Sequence, residues 1–282
     1  MLRLGCQVSI AGKIYDALER ASSLGCNTMQ IFARNPRQWR KTVLEDEDIK
    51  TFKKKVKEKK IDPVVIHIPY TLNLASMKDS FYRITIREFA QDLLEADKLG
   101  ADYLVTHMGS YKGGTERRGL SRITHALKKI LDLTEGTKTM VLLENTAGSG
   151  SWLGYKFIHH NHIFDHLKWP ERLGVCMDTA HLWAAGYKID TAEGVEALVT
   201  ELEQQVGVKR VKVIHLNDTQ EKLDSRNDRH CDIGAGLIGR EGFSALLNHP
   251  KLKNIPFILE TPKETEEDDR RNLAVVRELY KK

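Results

Sequence analysis

The sequence predicts an α/β chain folded as one (β/α)8 barrel, the TIM-barrel architecture, over residues 1–282. Three observations predict it. Eight short apolar runs rich in β-branched residues recur along the chain. Longer stretches with helical period separate them. No break in composition, low-complexity segment or linker interrupts the alternation. Parallel strands covered by helices read as near-continuous apolar runs, and eight such repeats favour a closed barrel over an open sheet.

The predicted strands are Leu4–Val8, Thr28–Phe32, Pro63–His67, Asp102–His107, Thr139–Glu144, Leu173–Asp178, Val211–Leu216 and Pro256–Glu260. Ile84–Leu99 and Gly194–Val206 are clear helices between them. At 41% hydrophobic and 29% charged, the chain has the composition of a globular protein able to bury a large core. No apolar run reaches the ~18 residues of a membrane span. The opening MLRLGCQVSIAGK lacks the long apolar run of a signal peptide. Cys6, Cys26, Cys176 and Cys231 form no C-x-x-C pair, and three lie in or beside apolar runs. That predicts reduced thiols in a cytoplasmic protein. The net charge of +5 permits a polyanionic partner without requiring one.

Six of the eight runs end on, or one residue before, an acid or imidazole: His67, His107, Glu144, Asp178, His215 and Glu260. Such residues make up 50 of 282, so chance places about one or two there. A charged group closing an apolar strand is costly to bury unpaired. In a parallel barrel these ends converge on the C-terminal rim, where barrel active sites lie. Singly, each has a plainer explanation: a hydrogen-bonded core histidine, a helix cap at Asp178, or ion-paired Glu144 and Glu260. Their convergence predicts a metal site instead, because clustered imidazoles and carboxylates are what a divalent transition metal needs. Two local spacings add to it. Asp178 and His181 stand one helical turn apart, and Asp228 and His230 lie two apart on one side of an extended segment. One ion takes about four protein ligands, so nine candidates suit two or three ions sharing a carboxylate.

These residues sit in phrases that resemble the endonuclease IV family of metal-dependent apurinic/apyrimidinic endonucleases. The phrases are IFARNPRQWR (31–40), HIPYTLNLAS (67–76), HMGS (107–110), LLENTAGSGSWLG (142–154), GVCMDTAHLWAAGY (174–187), HLNDTQ (215–220), DRHCDIGAGLIG (228–239) and ILET (258–261). The resemblance implies three ions, usually Zn2+, with Mn2+ accepted at one or more positions. His67, His107 and Glu144 would hold one ion. Glu144, Asp178, His215 and Glu260 would hold a second, with Glu144 bridging. His181, Asp228 and His230 would hold the third. It also implies base excision repair on double-stranded DNA: hydrolysis of the phosphodiester 5′ to an abasic site, leaving a 3′-hydroxyl, by a monomer with no membrane partner. The chemistry suits this. Paired ions ~3.5–4 Å apart can share a hydroxide as nucleophile and clamp phosphate oxygens, so Glu144 would orient the nucleophile and no side-chain base is required.

Basic and aromatic residues on rim loops suit phosphate binding and base stacking. Arg34, Arg37, Trp39, Arg40 and Lys41 follow the second strand. Tyr70, Lys112, Arg117, Arg118, Lys156, Arg226, Arg229 and Arg240 follow others. The resemblance implies that Arg37 and Tyr70 enter the DNA stack. Thr71 stands where the family carries a large apolar wedge, which moves that role to Tyr70 or Leu72.

Three signals are read as decoys. The basic run Lys53–Lys60 shares a helix with the stripe Ile49, Phe52 and Val56, which points its lysines at solvent near the far end of the barrel. Gly234, Gly236 and Gly239 match a dinucleotide pattern without the strand and helix it needs. His159, His160, His162 and His166 read as a surface helix with only His160 facing inward. Two alternatives are a metal-dependent sugar isomerase or epimerase on the same barrel and a non-catalytic DNA-damage-binding protein. The Asp228–His230 pair and the arginine-rich loops argue against the first. Mixed imidazole and carboxylate sites without cysteine argue against the second.

Overall fold

A computed structural model describes residues 2–32, 34 and 44–281. Its strands are β1 (Leu4–Cys6), β2 (Met29–Phe32), β3 (Val64–His67), β4 (Tyr103–His107), β5 (Met140–Glu144), β6 (Leu173–Asp178), β7 (Val211–His215) and β8 (Phe257–Leu259). Each lies inside its predicted run. The helices are α1 (Asp16–Ser23), α2 (Asp46–Lys59), α3 (Asp79–Leu99), α4 (Glu116–Leu133), α5 (Phe157–His166), α6 (Thr179–Ala184), α7 (Ala192–Gln205), α8 (Gly239–Asn248) and α9 (Glu266–Leu279). Side chains set several helix starts. Thr115 and Thr191 accept the first free N–H groups of α4 and α7, and Thr265 with Asp268 forms a capping box on α9.

All paired strands are parallel, in the order β1-β8-β7-β6-β5-β4-β3-β2. The barrel is nearly closed at the β1–β2 seam by a parallel bridge between Gln7 and Gln30. Gly5 explains how the seam approaches so closely. A Cβ there would lie 2.0 Å from the carbonyl oxygen of Thr28.

Two cores result. The larger lies between sheet and helices. The smaller is an apolar plug in the lumen, made of Val65, Val105, Leu142, Cys176, Val213 and Ile258. Strand side chains alternate with period two, so the residue two positions on from each plug residue faces the same way. Those residues are His67, His107, Glu144, Asp178, His215 and Glu260. The six strand-end acids and imidazoles therefore form one layer directly above a dry floor.

The lysine-rich helix α2 behaves as the sequence predicts. Phe52 is buried, and Lys55 and Lys59 pair with Glu19 of α1. Lys53 lies against Gly100, in the turn that leads into the start of β4. That end of the barrel is opposite the strand C-termini. No helix among the described residues is long and apolar enough to cross a membrane.

Replacing Gly5 by alanine should force the seam apart. Urea unfolding is expected to show a loss of about 3 kcal/mol or more, at the upper end of overpacking costs.

Candidate metal centre

Nine residues meet at the mouth of the barrel, and Glu144 is their hub. Its Oε2 lies 2.9 Å from His67 Nε2 and 3.0 Å from His107 Nε2. Its Oε1 lies 3.0 Å from His215 Nδ1 and 3.5 Å from His181 Nδ1. Glu260 Oε2 approaches His215 Nδ1 at 3.2 Å. Asp228 Oδ1 lies 3.1 Å from His181 Nε2 and 3.4 Å from His230 Nε2. The donor atoms fall into three groups, each within 4.8 Å: His67, His107 and Glu144; Glu144, Asp178, His215 and Glu260; and Asp178, His181 and His230. Asp228 closes the third group from the solvent side, its side chain about half exposed.

Backbone geometry aims these rings. The Nδ1–H of His67 donates to the carbonyl of Ile68 at 2.7 Å, and that of His181 to Asn145 at 2.9 Å. His230 Nδ1 faces the carbonyl of Glu260 at 3.3 Å. Such bonds leave Nε2 as the ring atom directed at the cluster, as a ligating imidazole needs. Asp178 acts twice. It ends β6, and its Oδ1 caps α6 by accepting the His181 N–H at 2.8 Å. The cap is what brings His181 round to the same mouth.

The electrostatics are those of a site built for cations. Burial pushes Glu144 toward protonation, but His107 and His215 outweigh it and hold the carboxyl well below its usual range. Burial opposes charge on His181, yet Asp178 and Asp228 raise it well above an ordinary histidine. His230 is likewise pushed up to about 9, with Asp178 and Asp228 overcoming burial. Four carboxylates within one mouth are costly unless cations compensate them. His230 Nε2 is buried without a hydrogen-bond partner among the described residues. It lies 3.8 Å from Asp178 Oδ2. An orphaned imidazole nitrogen beside two carboxylates, with no cysteine in the donor set, fits a divalent ion of the zinc or manganese type.

Comparison with known proteins agrees with this geometry. A family model described as a xylose isomerase-like TIM barrel matches residues 18–279. A probable endonuclease 4 from Chloroflexus aurantiacus is 43% identical over 280 residues, covering 99% of this chain and 98% of its own. The crystal structure of endonuclease IV from Thermus thermophilus superposes with a TM-score of 0.87 at 36% identity, covering 98% of each chain. The chain belongs to the endonuclease IV family. A D-tagatose 3-epimerase-like protein shares the fold at a TM-score of 0.74 and 20% identity, and that likeness extends to the fold alone. Endonuclease IV proteins are enzymes, and this chain is one.

Within the endonuclease IV frame, the rim contacts sort unevenly. Tyr70 is 58% exposed, its ring edge against Phe32 and close to His67 and His107. Arg229 projects beside Asp228, with only a 3.6 Å approach to Glu221. Arg37, Trp39, Arg40 and Lys41 lie outside the described residues. Three expectations need correction. Arg34 is not a rim cation: it is buried and pairs with Asp92 of α3 at 2.9 Å and Glu88 at 3.4 Å. Leu72 is buried, so it offers no wedge. His159 does not face outward. Its Nδ1 accepts the Gly154 N–H at 3.1 Å inside the loop after β5. Arg240 is paired with Glu278 of α9 at 2.6 Å.

The sequence reading missed the amides that hold the acids. Asn217 Nδ2 donates to Asp178 Oδ2 at 2.6 Å, and its Oδ1 accepts the Glu260 N–H at 2.8 Å. Asn145 brackets the Asp178 backbone, and Gln30 contacts His215 and Glu260. Their signal was present: buried amides inside or beside apolar strands. The glycine-rich stretch also has a different anion from the one its pattern suggests. It wraps the buried carboxylate of Asp218, which accepts N–H groups of Gly234, Gly236, Ile238 and Gly239. Cys231 donates its N–H to the Asp218 carbonyl, tying the segment that carries Asp228 and His230 to the loop after β7.

Asp218→Asn should replace an acceptor-only group by one that turns a donor toward those N–H groups. Expected outcomes are a loss of about 2–3 kcal/mol in denaturant unfolding and weaker metal retention on dialysis.

Proposed function

We propose that this chain hydrolyses the phosphodiester 5′ to an abasic site in DNA, leaving a 3′-hydroxyl, with a trinuclear metal centre. The observation that carries this reading is the interlocking of three donor groups through shared carboxylates at one mouth. The names of its full-length relatives support it. His67, His107 and Glu144 would hold one ion. Glu144, Asp178, His215 and Glu260 would hold a second. His181, Asp228 and His230 would hold the third, with Asp178 within reach of it. Zn2+ suits these donors, and Mn2+ can replace it at one or more positions. Clustered divalent ions supply Lewis acidity, lowering the pKa of water toward neutrality and relieving charge on the reacting phosphate.

The chain's own residues bind and orient. Glu144 sets the separation of the first two groups, because both its oxygens are engaged by imidazoles. Each of the five imidazoles faces a carboxylate and is oriented by it. Because clustered ions would lower the pKa of water, no separate side-chain base is required. A cavity of about 210 Å3 opens beside this centre, walled by Tyr70, Trp152 and the turn 146–149. It suits an extruded sugar without a base. Tyr70 offers a stacking face, and Arg229 a phosphate contact, at the same mouth. Arg37 is proposed to join them. The acting species is taken to be a single-domain monomer.

An oligonucleotide duplex with one abasic site tests the reading. Incision 5′ to that site, abolished by chelator and restored by Zn2+ or Mn2+, is the expected result. Binding without incision would overturn it. Glu144→Gln at full metal occupancy should lower incision by at least about 100-fold, the upper end of what loss of even an outer-shell partner costs. Near wild-type cleavage would show that Glu144 is not the hub. Replacing Lys53, Lys54 and Lys57 by glutamine should leave DNA affinity and its salt slope almost unchanged, measured by fluorescence anisotropy over a salt series.

A further inference from the structure

Six strands bring an acid or imidazole to the mouth, and β1 and β2 bring glutamines to the lumen instead. Gln30 is fully buried in β2. Its Nε2 donates to Glu260 Oε1 at 2.6 Å and to Gln7 Oε1 at 2.9 Å. Its Oε1 lies 2.8 Å from His215 Nε2. The amide orientation is not arbitrary. A carboxylate only accepts, so the amide nitrogen must face Glu260, and the amide oxygen must then face His215. An oxygen there accepts, so His215 must carry its proton on Nε2. In the neutral ring Nδ1 is then the atom left to a cation shared with Glu144 and Glu260, which it faces at 3.0 and 3.2 Å.

His215 is thus the reverse of His67 and His181, whose Nδ1–H groups donate to backbone carbonyls and whose Nε2 atoms face the cluster. Backbone locks survive side-chain substitution. The lock on His215 is a side chain. We propose that Gln30 is a positioning residue of the metal centre, which holds His215 in the Nε2–H tautomer and clamps Glu260, so that both present donors to one ion. Gln7, across the seam, fixes the amide from behind. The inference rests on the metal-centre reading above.

Long-range 1H–15N NMR of the wild-type, zinc-loaded chain should show His215 protonated on Nε2. Chelator titration with metal analysis should show Gln30→Met releasing one ion at about 10–100-fold lower chelator than wild type. The other ions should follow the wild-type curve, and circular dichroism of the metal-free forms should superpose. Gln30→Glu keeps the acceptor for His215 but loses the donor to Glu260. It should retain the tautomer while binding that ion more weakly than wild type, and it serves if the methionine variant does not fold. An Nδ1–H tautomer in wild type, or superposed chelator curves for wild type and variant, overturns the inference alone. A wild-type chain that takes up no ion overturns the metal-centre reading and this inference with it.

Discussion

The mouth of this barrel depends on one buried carboxylate. Glu144 has lost nearly all contact with water, and burial by itself would drive it to the neutral acid. It stays ionised because imidazoles crowd both oxygens, and two of those imidazoles, His181 and His215, are held in turn by Asp178, Asp228 and Glu260. No member of the set is stable alone. An unpaired buried charge costs several kcal/mol, so removing one partner exposes the rest to that cost. Cations entering such a site replace protons as the counter-charge, and the carboxylates have somewhere to send their field.

Such a constellation needs rigid placement, and the barrel supplies it through register. The plug beneath the mouth and the layer of acids and imidazoles are two successive inward positions on the same six strands. A slip of one residue on any strand would exchange a charged group for a side chain meant for the helices. The plug also keeps the floor dry, which strengthens every interaction above it. Where strands stop, caps and amides continue the work. Asp178 turns the chain into α6, and Asn217 links β7 to β6 and β8. Asp218 gathers the glycine turn so that Asp228 and His230 return to the mouth.

Legibility followed the range of the interaction. The eight strands could be read because alternation and helical period are local. The strand-end residues could be read because an acid or imidazole closing an apolar run is locally anomalous. Residues whose meaning depends on a distant partner were misread or overlooked. Arg34 resembles any loop cation until Asp92, 58 residues later, is folded against it. His159 sits on a helix whose outward face is otherwise largely exposed, but the loop after β5 folds over that one position.

The sequence by itself determined the barrel and the nine residues of its mouth, because periodicity and misplaced charge are properties of short segments. Only the tertiary structure decided that Asp178 joins His181 and His230 as well as the group around Glu144, which ring nitrogen each histidine offers, and which amides hold them. Those outcomes depend on distances of about 3 Å between strands far apart in the chain, where hydrogen bonding is steeply directional. Gln30 shows the division most clearly. In the sequence it is a polar residue in a short strand. In the structure it reaches Glu260, 230 residues away, and selects the tautomer of His215.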